Sequence, residues 1–258
     1  MKAKDSILAR FGLPLLVAAV LLGVWHFSVV ISGTTIFPTP WEVVKGIGEL
    51  ASHGLLVKYI VASLFRVTWG FVLAILVGVP LGLALGWFDR AFMAINPIIQ
   101  VLRPISPIAW IPVAILWFGT HDAAPVFLIF LASLFPIVVA STAAVRNMQL
   151  VYLRAAQNFG LSGIQLFRRV ILPATLPQII TGLRIALGIA WLVVVAAEMI
   201  ATQGGGLGYL IIDARNAGKR YDLVVAGMVM IGLIGLGLDL LMRRLEKFDE
   251  VRWGVGQR

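Results

Sequence analysis

Between Ala123 and Val145 the chain runs for 23 residues without one charged side chain. A helix of that length rises about 35 Å, enough to cross a hydrocarbon layer of roughly 30 Å. Such a stretch restricts the surroundings more than any motif does, because a small soluble domain cannot cover it on all sides. The rest of the 258 residues agree: 13% are charged, 60% are apolar and the mean hydropathy is +0.97. Soluble domains carry about a quarter charged and just under half apolar residues. That surplus makes lipid the solvent for much of the surface.

Five further runs reach spanning length, about 20 residues. With Ala123–Val145 they give expected spans at 11–31, 59–86, 91–118, 123–145, 177–202 and 223–242 in one membrane domain covering 1–258. The first follows Lys2, Lys4 and Arg10 and is longer than the roughly 7–15 apolar residues of a signal peptide, so an uncleaved span is expected. Residues 32–58 form a polar connection with Phe37-Pro38-Thr39-Pro40, followed by an amphipathic surface helix from Trp41 to Ser52. The third span is interrupted by Pro97, Pro104, Pro107 and Pro112. Residues 146–176 and 203–222 read as polar loops, and a basic tail closes the chain.

The net charge of +9 invites a nucleic-acid reading, which its distribution removes. With the N-terminus inside, inner segments hold 13 of the 21 Lys and Arg residues and outer segments hold five, the latter being Lys45, Lys58, Arg215, Lys219 and Arg220. No single face gathers the charge. The asymmetry is that of a multi-pass membrane protein with both termini in the cytoplasm.

Several chemistries are excluded. The chain has no cysteine, and His26, His53 and His121 lack metal-ligand spacing. No G-x-S-x-G or paired carboxylates suggest an intramembrane enzyme. No phosphate-binding G-x-x-x-x-G-K-[ST] occurs: Gly218-Lys219 is followed by Arg220, and Gly204–Gly208 does not complete G-x-G-x-x-G. If ATP drives this protein, a partner must bind it.

Residues 146–176 are longer and more patterned than a connector needs. Leu150 to Phe159 has helix-compatible composition and Gly160 is a natural stop. Ile164 to Ile171 forms a second helical stretch, expected to be cut by Pro173 and Pro177 before the fifth span. The product is a helix–turn–helix with apolar and basic side chains mixed, suited to a groove on a soluble partner.

This segment resembles the EAA loop of ABC importer permeases, E-A-A-x-x-x-G, nine residues, then I-x-L-P. Ala155, Ala156, Gly160, Leu172 and Pro173 match in type and spacing, with Leu161 beside the glycine. Val170 stands in for the isoleucine and Arg154 occupies the glutamate position. Phe37-Pro38-Thr39-Pro40, the run Arg103-Pro104-Ile105-Ser106-Pro107-Ile108-Ala109-Trp110-Ile111-Pro112, Trp117-Phe118-Gly119, and Ala197-Glu198-Met199 with Gly206-Leu207-Gly208 are similar to the nitrate/sulfonate/taurine branch. The resemblance implies an all-α integral membrane fold of six transmembrane helices, type I importer-like, with a cytoplasmic coupling helix–turn–helix. It implies a homodimer in the bacterial inner membrane and two cytoplasmic ABC ATPase subunits holding ATP-Mg. It also implies a periplasmic or lipid-anchored solute-binding protein. This chain itself would bind no cofactor, and its cargo would be a small oxyanion such as nitrate, sulfonate, taurine or bicarbonate. The competing class is an ion-coupled secondary transporter acting without an ATPase, for which only Glu198 and Asp239 offer intramembrane acids.

Polar groups at membrane depth mark the candidate pathway. Glu198 reads either as a gate or as a carboxylate bonded to amides of Gly204–Gly208. Ser106, Pro107 and Trp110 lie where the prolines loosen the third span, either lining a pathway or serving a packing kink. Arg103 and Arg184 read as anion attractors or as side chains snorkelling to headgroups, and Asp239 as a partner for Arg243. Gly78, Gly82 and Gly86 make a flat stripe for close helix contact, within the subunit or at a dimer interface.

Overall fold

The computed structural model describes residues 7–33, 36–218 and 220–253; Lys2, Lys4, Lys219 and Arg258 of the charge pattern lie outside them. Among the described residues every regular element is helical: α1 (Ile7–Ser32), α2 (Pro40–Ser52), α3 (Leu55–Trp87), α4 (Asp89–Leu102), α5 (Ile111–Phe118), α6 (Ala123–Arg146), α7 (Leu150–Asn158), α8 (Gly163–Leu166), α9 (Leu172–Ala201), α10 (Leu207–Asn216) and α11 (Tyr221–Trp253). Five apolar helices are long enough to cross a membrane: Gly12–Ser32, Leu55–Trp87, Ala123–Arg146, Gly163–Ala201 and Tyr221–Glu246. A sixth crossing exists if α4 and the segment Pro107–Phe118, bent by 85° between them, are counted as one.

The centre of the bundle is α6, packed between α3 and α9. Small residues set that approach. A Cβ built on Gly82 would lie 2.5 Å from Ser141 Cβ, and one on Gly86 equally close to Val145 Cβ. Gly70 and Gly78 meet Ile129 and Ile137 in the same way, and Thr142 Oγ1 donates to the Gly82 carbonyl at 3.1 Å. The stripe therefore serves contact inside the subunit, where dispersion between close backbones replaces the hydrophobic drive that lipid cannot supply. Gly82→Val is expected to destabilise the protein by about 1–3 kcal/mol through overpacking, read as a lower unfolding temperature in detergent. On the other flank Trp191 of α9 reaches across to α11, its Nε1–H donating to the Ile231 carbonyl at 3.0 Å in the space that Gly235 leaves.

The helix at the bundle's edge is well specified by its sequence. Thr39 is the N-cap of α2, Pro40 opens its first turn, and Glu42 closes a capping box. The Thr39 N–H donates to Glu42 Oε2 at 2.7 Å and the Glu42 N–H to Thr39 Oγ1 at 3.4 Å. The Thr39 N–H, and after it the Thr39 hydroxyl donating to Glu42 Oε2 at 2.9 Å, hold the Glu42 carboxyl below the usual carboxylate range. Val43, Gly46 and Leu50 are buried, and Gly46 admits Leu223 and the Asp222 carbonyl of α11. Arg220 bridges Glu49 and Asp222 at 2.6 and 2.8 Å, and its hydrogen bond keeps the Glu49 carboxyl low as well. Helix α1 packs little against the rest, although Trp25 Nε1 donates to the Pro38 carbonyl at 3.1 Å.

The interruption expected in the third span, 91–118, is a corner between two helices at a steep angle, with Pro97 inside the first of them. Pro104 and Pro107 withhold amides at the corner, and a short 3-10 turn, Pro107–Trp110, restarts the chain. Two other sequence expectations need correction. The break expected at Pro173 and Pro177 is absent: helix runs unbroken over Gly163–Ala201, with a π-helical segment at Phe167–Ile171. That wider turn directly precedes Pro173, which lies in the first turn of α9. Finally, residues 203–222 contain α10, whose Leu207, Leu210, Ile211 and Ala214 are buried.

Candidate functional site

Three places on this bundle carry chemistry that packing alone would not demand. The first is a knot of buried charge. Glu198, near the end of α9, is fully buried, and Arg66 of α3 is 3% exposed. Arg66 Nη1 donates to Glu198 Oε1 at 2.7 Å and to the Gly205 carbonyl at 2.6 Å, while its Nε and Nη2 donate to Asp122 Oδ1 at 2.9 and 2.7 Å. Ser63, one turn before Arg66, donates to Glu198 Oε2 at 2.8 Å and accepts the Leu207 N–H. The Gly208 N–H donates to Glu198 Oε2 at 3.0 Å.

All three guanidinium nitrogens and both oxygens of the Glu198 carboxylate are thereby engaged, the condition under which a charge pair survives away from water. The glycine loop lies against the acid so closely that Cβ atoms on Gly206 or Gly208 would strike Glu198, and Gly206 has φ +121. The knot joins α3, the start of α6, the end of α9 and the loop into α10. A second, wetter cluster ties α9 to α11. Arg184 contacts Asp239 at 2.8 Å and Glu246 at 3.1 Å, and Asp239 also accepts from Arg243 at 2.9 Å.

The second place is the corner of the broken span. Pro107 and Trp110 line a cavity of about 240 Å³ together with Arg103, walled by Leu131 and Pro136 of α6 and Ile185 of α9. Ser106 is exposed beside it and begins the 3-10 turn. Glu198 does not line this cavity, so the four candidates of the pathway separate into three at the corner and one sealed in the charge knot.

The third place is the elbow between α7 and α8. Gly160 has φ +76, the Leu161 N–H returns to the Ala156 carbonyl at 3.0 Å, and the Gly160 N–H to the Gln157 carbonyl at 2.9 Å. These two bonds form a Schellman stop, which demands a left-handed residue at Gly160 and an apolar one at Leu161. Ala156 is buried in a cluster with Leu166, Ile171 and Ile179, against which Leu161 and Leu172 pack. The motif residues therefore divide. Ala156, Leu161 and Leu172 hold the elbow on the bundle, Pro173 opens α9, and Arg154, Ala155 and Gly160 face outward. Leu150, Val151, Tyr152, Phe159 and Ile164 are exposed around them, Phe159 at 87%.

Sequence reasoning found the elbow and the corner but missed Arg66, Ser63 and Asp122. A usable signal existed: Arg66 is the single charge of one apolar run and Glu198 the single acid of another, and an unpaired charge in lipid is costly. Arg184, expected as an anion attractor or a snorkelling side chain, is engaged by two acids.

Comparison with known proteins agrees with this architecture. The fold matches a chain from an inward-facing structure of the MetNI methionine ABC transporter, with a TM-score of 0.68 at 17% identity, covering 77% of this chain and 98% of that one. The nitrate import permease NrtB of Leptolyngbya laminosa is 37% identical over 86% of this chain and 82% of its own. The taurine transport permease TauC of Escherichia coli is 36% identical over 89% and 85%. Residues 70–248 match the family described as the binding-protein-dependent transport system inner membrane component, and the chain belongs to that family as the membrane permease of an ABC transporter, a subunit without enzymatic activity.

Proposed function

We propose that this chain is the pathway-forming half of a homodimeric importer that carries a small oxyanion across the bacterial inner membrane by alternating access. The observation that carries the coupling role is the α7–α8 elbow. A short helix with a fixed stop holds Arg154, Ala155 and Gly160 among exposed apolar side chains at the end of the bundle, outside any span. An exposed Leu, Val and Tyr group on a nine-residue helix, with Phe159 at its C-cap, fits a groove on a soluble protein, and ATP binding in that partner would move the elbow as a lever. Leu172 and Pro173 pass the motion directly into α9, because helix is continuous across them.

In this reading the elbow and both termini lie in the cytoplasm, as the charge asymmetry favours. A solute-binding protein delivers cargo from the other side, and ATP with magnesium sits in the partner subunits. The oxyanion class rests on the nitrate and taurine permeases among the relatives. The whole chain acts as one membrane domain whose little-packed α1 meets lipid and the second copy.

The test is a mild-detergent pull-down of the tagged protein from its host, with mass spectrometry of what is retained. A phosphate-binding-loop ATPase is expected to co-purify and to be lost when residues 154–163 are replaced. Recovery of the chain alone, with solute transport in vesicles lacking ATP, would replace the importer with an ion-coupled secondary transporter.

A further inference from the structure

Three arginines lie inside the spans expected from the sequence at 59–86, 91–118 and 177–202: Arg66, Arg103 and Arg184. Two are neutralised, Arg66 by Glu198 and Asp122 and Arg184 by Asp239 and Glu246. Arg103 makes no ion pair or side-chain hydrogen bond among the described residues, and it lines the cavity at the corner of the broken span.

The depth of that cavity follows from its walls. Leu131 and Pro136 occupy the middle third of α6, a helix about 36 Å long at its 24 residues. Ile185 and Ile189 occupy the middle third of α9. The cavity thus sits near the centre of the bilayer, remote from the headgroups to which an arginine can snorkel. A guanidinium left unpaired there is expensive unless water or a counter-ion meets it.

The surroundings say which ligand fits. Trp110 contributes an indole N–H without an acceptor among the described residues, and Ser106 beside the cavity has a hydroxyl likewise unengaged. No carboxylate lines the space. The 85° corner between α4 and Pro107–Phe118 is irregular backbone at membrane depth, which is tolerated where it borders a cavity. Donors in excess, a fork-shaped cation and no acid describe a site for a small, weakly hydrated anion.

We propose that Arg103 is the anion-selecting side chain of the translocation pathway, holding a small oxyanion at the broken third span. This rests on the reading of the chain as an oxyanion importer and adds the residue that gives the pathway its sign. Arg103 acts by attraction and orientation, with release favoured because only one charge holds the cargo.

The absence of native cysteine permits a test that needs no knowledge of the cargo. Ile105 lines the cavity, so Ile105→Cys places one thiol near the guanidinium. In membrane vesicles containing the full chain, its labelling by anionic sulfonatoethyl and cationic trimethylammonioethyl methanethiosulfonates is compared with that of a free thiol. The anionic reagent is expected to be favoured by about tenfold from Coulomb attraction at a few ångströms. Arg103→Met should bring the ratio to that of the free thiol and Arg103→Lys should retain it. Excess nitrate or methanesulfonate should slow labelling only while the cation is present.

A ratio that Arg103→Met leaves unchanged overturns the proposal. So does a thiol that neither reagent reaches until the protein is denatured. Should Ile105→Cys fail to accumulate, Ile185→Cys on the opposite wall serves the same comparison. Failure of the importer reading shows separately, as loss of the co-purifying ATPase, and leaves this ratio untouched.

Discussion

Arg66→Met is expected to cost the protein about 3–5 kcal/mol, because it strands the fully buried Glu198 carboxylate without its cation. The loss is larger than that of the pair's own attraction. Glu198 would keep the hydroxyl of Ser63 and the amide of Gly208, two neutral donors, against the desolvation of a full charge. The Gly205 carbonyl would lose its donor at the same time. Asp122 would suffer little, since its side chain is 60% exposed and water can replace the guanidinium.

This asymmetry gives the prediction its internal control. Asp122→Asn should change stability by less than about 1 kcal/mol, the range of an exposed pair. Adding Glu198→Gln to Arg66→Met should recover much of the loss, because the amide oxygen can still accept from Ser63 and Gly208. The measurement is the unfolding temperature and the monodisperse yield in one detergent for the parent, these three variants and Glu198→Gln alone. Simple additivity of the two substitutions, or an unchanged melting point for Arg66→Met alone, would show that water reaches Glu198.

The charge knot also shows how far the sequence can be read. The long apolar runs locate the crossings because lipid imposes one length on all of them. The capping box at Thr39 and the stop at Gly160 are equally local: each is decided within four or five residues and written in them. Asp239 with Arg243 is legible for the same reason, four residues apart on one helix face. What the sequence hides is long-range. Arg66 and Glu198 are 132 positions apart, and the third member, Asp122, lies 56 positions from Arg66.

Proline misled in one direction only. It was a faithful signal of the corner at Pro104 and Pro107, where no neighbouring turn compensates. It was a false signal at Pro173, where the π-helical segment Phe167–Ile171 lets the helix enter the span unbroken. The consequence is functional. An elbow joined to the span by a loop could move independently of it, whereas one joined by continuous helix must turn the span with it.

That rigidity is why Gly160→Asp is expected to abolish transport while leaving the protein in the membrane at its normal level. Gly160 has φ +76 and a Cβ there would meet nothing within 4 Å, so the only folding cost is conformational. For a non-glycine residue in that region it is roughly 1–2 kcal/mol, and aspartate is among the residues that tolerate it best. The stop, the burial of Ala156 and the helix into α9 should all survive.

What changes is the outward face. A carboxylate would project from the turn of the elbow, beside Phe159, into the contact proposed with the ATPase, where a desolvated and unpaired charge is costly. Membrane content measured by immunoblot should match the parent, while ATP-dependent uptake and ATPase co-purification fall to background. Gly160→Asn separates charge from conformation, since it takes the same backbone angles without the charge and should retain a substantial part of the uptake. Normal transport by Gly160→Asp would remove the elbow from the coupling path, and the exposed apolar side chains of α7 would then need another partner.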